Sequence, residues 1–364
     1  MDAQDPVLDA LIDRVHRARS QRTPLEIRGG GTKAFYGGPA RGEPLEMSGL
    51  AGISLYEPTE LVVTARAGTP LAELEAALAA RGQCLPFEPP RFNAGGTVGG
   101  MVAAGLSGPA RANFGSVRDH VLGVTLLNGR GEILTFGGQV AKNVAGYDVS
   151  RLVVGALGIL GIICEVSLKV LPVPRAVATL CFECDERHAL EQLKQWASQP
   201  LPLSASAWCE GRLRVRLAGA VAAVNAACVR LGGALLDAEE AQAWWLGLRD
   251  QRQEFFALDD GDLARGECLW RLSVPSTSPP AELPGRQIIE WHGAERWWRT
   301  AAAPREVRSA AASSGGHATL VRGADKSAGA FTPLDAVLMR IHHGLKQAFD
   351  PAGIFNPGRL YAEL

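Results

Sequence analysis

The stretch "LEIRGGGTK", residues 25–33, places three successive glycines directly after a short β-prone run. Ordering three glycines costs much conformational entropy on folding, so we expect them to have a structural or functional role. Glycine lets the backbone adopt positive φ angles and approach a ligand closely, and successive N–H groups can then converge on an anion. Arg28 and Lys33 add positive charge on either side. The pattern favours a phosphate-binding loop, and a plain flexible turn is the alternative.

A second glycine cluster follows in "NAGGTVGGMVAAG", residues 93–105. Thr97 is a residue type that caps helices, so a helix is expected to begin there with its first amides directed at a ligand. Tight packing of a helix on a sheet is the alternative, although packing explains two such clusters less easily than one. The cluster lacks the G-x-G-x-x-G pattern of nicotinamide dinucleotide sites, with its acidic residue about 20 residues later.

The composition is that of an ordinary globular protein. The chain has 364 residues, 47% of them hydrophobic and 21% charged, which suggests two or three domains. A net charge of −1 gives no electrostatic footprint for nucleic acid. Seven cysteines without a disulfide framework favour free thiols in a reducing compartment. The acidic start of the sequence is unlike a signal peptide, and no transmembrane segment is expected because no run of about 20 apolar residues occurs.

The pattern of strands, helices and prolines predicts an α+β fold in three segments. The first, 1–175, contains an amphipathic N-terminal helix, both glycine clusters and a hairpin around "NGRG", and it ends at Pro172 and Pro174. The second, 176–330, predicts a sheet with helices on one side. Within it, three tracts are predicted to be loops: "STSPPAELPG", "TAAAPREVRSAAASSGG" and "RGADKSAGAFTP". His317 of "GGHATLVRG" is also expected to lie in a glycine-rich loop. The third, 331–364, predicts a helix and a tail rich in proline and glycine.

Five segments in a fixed order resemble a known family. They are "IRGGGTK", "NAGGTVGGMVAAG", "FGSVRDHVLGVTLLNGRGEILTFGG", "KNVAGYDVSRLVVGALGILGIICEVSLKV" and "FDPAGIFNPGRL". Together they resemble the FAD-linked oxidases of the vanillyl-alcohol oxidase and p-cresol methylhydroxylase type, and among these the FAD-binding subunits of bacterial glycolate oxidases. The resemblance implies a two-part FAD-binding domain over 1–175, an α+β cap domain over 176–330, and a tail over 331–364 that packs back on the FAD domain and returns to the flavin.

The resemblance also implies which residues bind FAD. The first loop would wrap the pyrophosphate, the second cluster would complete the diphosphate and flavin contacts, and three later segments would meet the ribityl chain, the adenine end and the flavin. In that order the residues are Arg28, Gly29, Gly30, Gly31, Thr32 and Lys33; Gly95, Gly96, Thr97, Gly99 and Gly100; Gly115 and Ser116; Gly161 and Ile162; and Asn356. Some relatives attach FAD covalently through a histidine near the first loop. This loop ends in threonine and lysine, so non-covalent FAD is expected.

Candidate catalytic residues are fewer. Oxidation of a 2-hydroxy acid requires hydride transfer to the flavin, a base for the hydroxyl proton and cations for the carboxylate. Larger relatives carry histidines in "H-x-G-D-G-N" and "E-H-G" patterns, which this chain lacks. His317 is the candidate base and Arg322 the candidate carboxylate partner; an exposed surface loop is the alternative. His342 and His343 lack an evident third ligand, so no metal site is predicted there.

The resemblance implies partners as well. The chain would be the FAD-binding subunit of a complex that oxidises glycolate, or a similar 2-hydroxy acid, beside a larger flavin subunit and an iron–sulfur subunit. The cysteine spacing cannot hold an iron–sulfur cluster in this chain. The alternatives are a self-sufficient flavin oxidoreductase and a non-catalytic assembly subunit stabilised by FAD. A cytoplasmic location is expected, with any contact to the inner membrane made through the complex.

Overall fold

The computed structural model describes residues 5–138 and 148–364. Part of the family-like segment that begins at Lys142 lies outside these residues. The helices are α1 (Pro6–Gln21), α2 (Leu71–Ala79), α3 (Val98–Ala104), α4 (Arg111–Phe114), α5 (Val117–His120), α6 (Val149–Leu152), α7 (Glu186–Ala197), α8 (Val221–Leu231), α9 (Ala238–Arg249), α10 (Asp260–Ala264), α11 (Pro304–Ser313) and α12 (Ala336–Phe349).

The strands form two main sheets and two small pairs. They are β1 (Leu25–Arg28), β2 (Glu43–Glu46), β3 (Ile53–Glu57), β4 (Val62–Arg66), β5 (Gln83–Cys84), β6 (Val121–Leu127), β7 (Ile133–Gly137), β8 (Ile162–Lys169), β9 (Leu171–Pro172), β10 (Ala176–Glu183), β11 (Leu203–Cys209), β12 (Arg212–Gly219), β13 (Ala234–Leu235), β14 (Cys268–Ser273), β15 (Arg286–Glu290), β16 (Glu295–Thr300) and β17 (His317–Arg322). The mixture of helices and sheets agrees with the predicted α+β class.

The first main sheet, here called the core sheet, has the order β3-β4-β8-β6-β7 in the described part of the chain. Every residue of β6 is buried, which is why this strand reads as a continuous apolar run. Asn128 closes the predicted hairpin: its Oδ1 accepts hydrogen bonds from the amides of Arg130 and Glu132. The parallel pair β1 and β2 lies beside this sheet, with the predicted amphipathic helix α1 packed through Leu8, Leu11 and Val15.

The second main sheet, here called the cap sheet, has the order β13-β10-β12-β11-β15-β16-β14-β17. Helices α7, α8 and α11 pack on one face, but α9 packs on the other, where Trp245 and Leu248 join the apolar cluster that meets the first segment. The prediction of helices on one side is therefore wrong. The change of sheet falls between β9 and β10; the division of the chain into domains at residue 175 stays a prediction.

Two segments predicted as loops are regular structure. Pro304 stands in the first turn of α11, where its missing N–H is harmless, and Val307 and Ala311 are buried. The glycines and serines that suggested a loop lie at the C-terminal end of this helix. "HATLVR" then forms β17, an edge strand held against β14. Both segments are regular because they bury apolar side chains, Val307 and Ala311 in α11 and Ala318, Leu320 and Val321 in β17, although their composition is typical of loops.

The C-terminal tail is held by a buried ion pair. Lys346, at the end of α12, donates to Asp350 Oδ2 at 2.8 Å and to the carbonyls of Ile159 (2.7 Å) and Phe355 (2.8 Å). Asp350, fully buried, also accepts from the amide of Phe355 at 2.8 Å. Each charge is thus satisfied by several partners, as a buried ion pair requires.

Replacing the cation of this pair should loosen the tail. Lys346→Met leaves the Asp350 carboxylate buried without its counter-ion, and such a loss costs about 3–5 kcal/mol. We expect a lower urea midpoint and faster proteolytic cleavage after α12. Lys194→Met, at an exposed position of α7, is the matched control. Equal midpoints for the two variants would contradict the role assigned to the pair.

Candidate functional site

A cavity of about 610 Å³ lies between β1, the start of α3 and the C-terminal tail. Its size is within the usual range for a ligand pocket. Eleven of the residues predicted from the sequence line it: Arg28, Gly29, Gly30, Gly31, Thr32, Lys33, Thr97, Gly99, Gly100, Gly161 and Asn356. The two glycine clusters, far apart in the sequence, therefore form one site.

The glycines of the first loop serve two different purposes. A Cβ on Gly30 would lie 1.3 Å from the carbonyl oxygen of Gly95, and one on Gly29 would lie 2.2 Å from Thr97 Oγ1. These two positions require glycine because the loops touch. Gly31 has a φ of +67° with open space around its Cβ position, so it requires glycine for its backbone conformation.

The second cluster is held by the core sheet. The amide of Gly99 donates to the carbonyl of Ala67 at 2.7 Å, and a Cβ on Gly99 would lie 2.6 Å from that of Ala67. Thr97 caps α3 as predicted, since its side chain accepts from the amide of Gly100 at 3.2 Å. Small residues at these positions allow the first turn of α3 to lie at the wall of the cavity.

Lys33 is the half-buried cation of the site. Its Nζ donates to Thr32 Oγ1 at 3.3 Å and lies 5.6 Å from the centre of the Phe92 ring. Burial lowers the pKa of Lys33 to about 8, because the ammonium has lost much of its hydration. Arg28, in contrast, is paired with Glu26 at 2.8 Å and is exposed. Lys33 is therefore the better placed of the two to meet an anion in the cavity.

The C-terminal tail contributes two residues to the site, in agreement with the predicted return of the tail. Asn356 Oδ1 accepts from the amide of Ile27 at 2.8 Å, and its Nδ2 donates to the carbonyl of Leu157 at 2.6 Å. Arg359 donates to the carbonyls of Tyr36 (2.7 Å) and Gly38 (2.5 Å). Sequence reasoning missed Arg359, although it follows Asn356 in "FNPGR" and lines the same cavity.

Five predicted cofactor residues lie elsewhere than on the cavity wall. Gly95 and Gly96 stand just behind the first loop, with the Gly95 carbonyl against Gly30. Ser116, directly after Gly115, is the N-cap residue of α5, and its amide donates to the carboxylate of Asp119. Ile162 is fully buried in the core beside α1. Contact of these residues with a cofactor stays a prediction.

The two candidate catalytic residues are not brought together. They occupy opposite ends of β17, and five residues of strand span about 16 Å. The guanidinium of Arg322 donates to the carbonyl of Phe256 at 2.9 Å and stacks 4.4 Å from the ring of Phe35. His317 is exposed at the edge of the sheet, but part of its ring is covered, and this partial burial, followed by the positive charge of Arg271, lowers its pKa. Arg271, which sequence reasoning missed, is a charged residue within the apolar strand "CLWRLS".

The remaining histidine and cysteine pairs of the sequence lie on α12 and at the end of β10. His342 is half-buried on α12 and His343 is exposed. Cys181 lies on β10 and Cys184 just after it, both as half-buried free thiols. Within residues 5–138 and 148–364, no group of three or more histidine, cysteine or acidic side chains is arranged to hold a metal ion. None of the described helices combines the length and apolar character needed to cross a membrane.

The residues present fit FAD. The first loop and the first turn of α3 line an open cavity without large side chains, and Lys33 adds a cation to its wall. Backbone amides beside a buried cation suit a diphosphate. The small residues Ala103 and Ala104 continue the wall and leave room for a flat ring.

The sequence is similar to known proteins in its first part and over its whole length. The family profile described as FAD binding domain matches residues 8–137. Glycolate oxidase subunit GlcE of Escherichia coli (strain K12) is 48% identical over 98% of this chain and 97% of its own length. Glycolate oxidase subunit GlcD of Bacillus subtilis (strain 168) is 32% identical over 44% of this chain, which is 34% of the relative.

The fold is similar to that of a solved structure, alkyldihydroxyacetonephosphate synthase. The match has a TM-score of 0.64 and covers 96% of this chain and 75% of the other. At 14% identity it bears on the fold alone. The predicted fold class, a two-part FAD-binding domain followed by an α+β cap, is confirmed by this match and the FAD binding profile. FAD is accordingly the cofactor, and the near full-length identity shows that the chain belongs to the family of the glycolate oxidase subunit GlcE.

Proposed function

We propose that this chain is the FAD-binding subunit of a glycolate oxidase complex that converts glycolate to glyoxylate. The observation that carries the proposal is the shared cavity of the two glycine loops, in a chain 48% identical to GlcE over nearly its full length. When bound, FAD supplies a two-electron acceptor for the hydride from the substrate carbon. The chain's own residues hold that cofactor and shape the space beside it.

The diphosphate would be held by the amides of residues 29–32 and by the Lys33 ammonium. Asn356 and Arg359 orient the walls from the tail side by binding the carbonyls of Leu157 and Tyr36. No histidine follows the first loop where some relatives attach FAD, so the attachment is non-covalent in this proposal.

His317 stays our candidate for the group that takes the hydroxyl proton. It is an exposed imidazole with a lowered pKa, so its neutral, proton-accepting form predominates at neutral pH. Arg322 stays the sequence-based candidate for the carboxylate partner, although its guanidinium is engaged by Phe256 and Phe35.

Electrons would leave through partner subunits. The seven cysteines lack the spacing of an iron–sulfur site, so an iron–sulfur subunit is proposed as the acceptor and a larger flavin subunit as the second partner. Relatives named GlcD and GlcE are both described as subunits, which supports a complex.

Alanine substitutions at Gly30 and Gly31 should distinguish the two reasons for glycine in the first loop, namely the contact with Gly95 and the positive φ angle. In Gly30→Ala the new methyl group collides with the Gly95 carbonyl, and overpacking of this kind costs about 1–3 kcal/mol; we expect FAD binding about 10- to 100-fold weaker. Gly31→Ala meets open space and costs only about 1 kcal/mol of backbone strain, so its FAD affinity should stay within about fivefold of the wild type.

The measurement is FAD content and Kd by fluorescence titration of the apoprotein. After acid precipitation the wild-type flavin should stay in the supernatant; flavin in the pellet would contradict non-covalent attachment. A wild-type affinity of Gly30→Ala for FAD would show that the contact between the two loops is not needed for FAD binding.

FAD affinity should depend on pH through Lys33. The ammonium is charged below its pKa of about 8 and neutral above it, and a diphosphate prefers the charged form. The Kd should therefore be constant from pH 6.5 to about 7.5 and rise by up to about tenfold per unit above pH 8. Lys33→Met should bind about 10- to 100-fold more weakly at pH 7, as a charge-assisted hydrogen bond is worth about 1.5–3 kcal/mol, and should lose the pH dependence. Lys169→Met, exposed at the end of β8, should behave as the wild type. A pH dependence retained in Lys33→Met would assign it to another group.

The subunit proposal itself is tested by reconstitution. We expect the isolated chain to reduce a soluble dye poorly with glycolate, and the chain combined with a larger flavin subunit and an iron–sulfur subunit to turn over. Removal of a general base typically costs about 10²–10⁴ in rate, and His317→Ala in the complex should show such a loss. Vigorous turnover by the chain alone would contradict the subunit proposal, whereas unchanged turnover with His317→Ala would remove only that residue.

A further inference from the structure

One face of the cap sheet carries a row of polar residues that crosses four strands. Glu290 of β15 is paired with Glu295 of β16, Glu295 with Ser273 of β14, and Ser273 with His317 of β17. Directly paired residues of antiparallel strands place their side chains on the same face, with Cβ atoms about 4.5–5.5 Å apart. The four residues, here called the polar row, therefore stand side by side on one face of the sheet.

The glutamate end of the polar row is buried against the FAD-binding part. Glu290 is 4% exposed and Glu295 is 3% exposed. Glu290 Oε1 accepts from Trp297 Nε1 at 2.9 Å, and Glu295 Oε1 lies 3.8 Å from Arg271 Nε. A cavity of about 20 Å³ separates this end from residues 106–109. Two buried carboxylates beside one close cation cannot both ionise without a large penalty, so the pair retains a proton.

Some neighbouring groups raise the pKa values of the two glutamates, and others lower them. Burial first, and then the charge of Glu295, raise the pKa of Glu290 well above its ordinary value. Burial raises the pKa of Glu295 to about 7 against the opposing charges of Arg271 and Arg111. The charged and titratable groups facing the pair are Arg271 on β14, Arg111 on α4, Arg249 on α9, Cys209 on β11 and Glu88 before α3.

The histidine end is open. His317 is exposed, and its pKa is lowered below the ordinary 6.5 by burial of part of the ring and by Arg271. Burial therefore brings the two groups closer in proton affinity, because it raises the pKa of Glu295 and lowers the pKa of His317. Ser273 lies between them, half-buried, and its hydroxyl can accept and donate at once.

We propose that the polar row transfers a proton from His317 through Ser273 to the Glu290–Glu295 pair. The inference rests on the proposed function for the source of that proton, the hydroxyl group of a 2-hydroxy acid. The substrate O–H bond breaks as an N–H bond forms on His317. That N–H bond then breaks, the Ser273 hydroxyl passes a proton on, and an O–H bond forms on Glu295. The imidazole is neutral again, and the pair has gone from one proton to two. Glu290 and Glu295 are positioning residues that restore His317.

The first test uses the FAD-loaded reconstituted complex. Glu295→Gln and Ser273→Ala should lower kcat by about 10²-fold, with KM unchanged and the pH profile of kcat shifted. Ser273→Thr restores a hydroxyl and should recover most of the rate. Thr319→Val, on the same face in the neighbouring row, should behave as the wild type. A wild-type rate and pH profile in Ser273→Ala, or no recovery in Ser273→Thr, would overturn the proposal.

The second test needs no substrate and therefore separates failure of the inference from failure of the proposed function. A carboxyl group with a raised pKa holds its proton to higher pH in the folded chain than in the unfolded chain, so stability falls as the pH rises from about 4.5 through 7. The urea midpoint of the FAD-loaded wild type should drop between pH 5 and 7, and Glu295→Gln should drop less. Glu210→Gln, an exposed carboxylate of the cap, should follow the wild type. Equal drops in Glu295→Gln and the wild type would overturn the proton-holding pair even if the complex oxidises glycolate.

Discussion

The close approach of Gly30 to the carbonyl of Gly95 is the constraint on which the site depends. At this contact no side chain fits between the loop after β1 and the loop before α3. The two loops belong to different parts of the first segment: one connects β1 to β2, and the other leads into α3, where the amide of Gly99 donates to the carbonyl of Ala67 directly after β4. Their contact joins these parts and leaves the cavity between them. A cofactor that binds in the cavity therefore contacts both parts of the segment. This explains why the chain has two glycine clusters, since a turn alone would need only one.

The C-terminus completes this arrangement from the opposite side. Leu25 donates its amide to the carbonyl of Ile354 and accepts from Asn356, so the tail continues the β1–β2 pair. The Lys346–Asp350 pair sets the path of the tail, and Asn356 then reaches Ile27 and Leu157. Because these bonds hold β1 at the base of the first loop, the position of the glycines depends on residues more than 300 positions later in the chain.

The sequence was informative wherever the requirement is local. Consecutive glycines, the cap at Thr97 and the turn at Asn128 each depend on a few neighbouring residues, and each was located correctly. The role of Asn356 came from resemblance, since nothing in "FNPG" by itself points to β1. The polar row could not be predicted because its members are joined by strand register. Glu290, Ser273 and His317 are far apart in the chain, and pairing decides which of them share a face. The sequence predicts a loop around His317 for the same reason. The glycines that flank β17 are its neighbours in the chain, whereas its partner strand β14 is distant in sequence.

Tyr36 connects the first loop to the cation that faces the polar row. Tyr36 follows the first loop by three residues, and its hydroxyl accepts from Arg271 Nη2 at 3.1 Å, while its carbonyl is bound by Arg359. Arg271 in turn is the close cation of Glu295. Arg271 thus contacts both Tyr36, just after the first loop, and Glu295 of the polar row. The positive charge of Arg271 limits the rise of the Glu295 pKa, so the position that Tyr36 gives Arg271 affects how tightly Glu295 holds a proton. The residues proposed for cofactor binding and those proposed for proton transfer are therefore connected through Tyr36 and Arg271, although they lie in different parts of the fold.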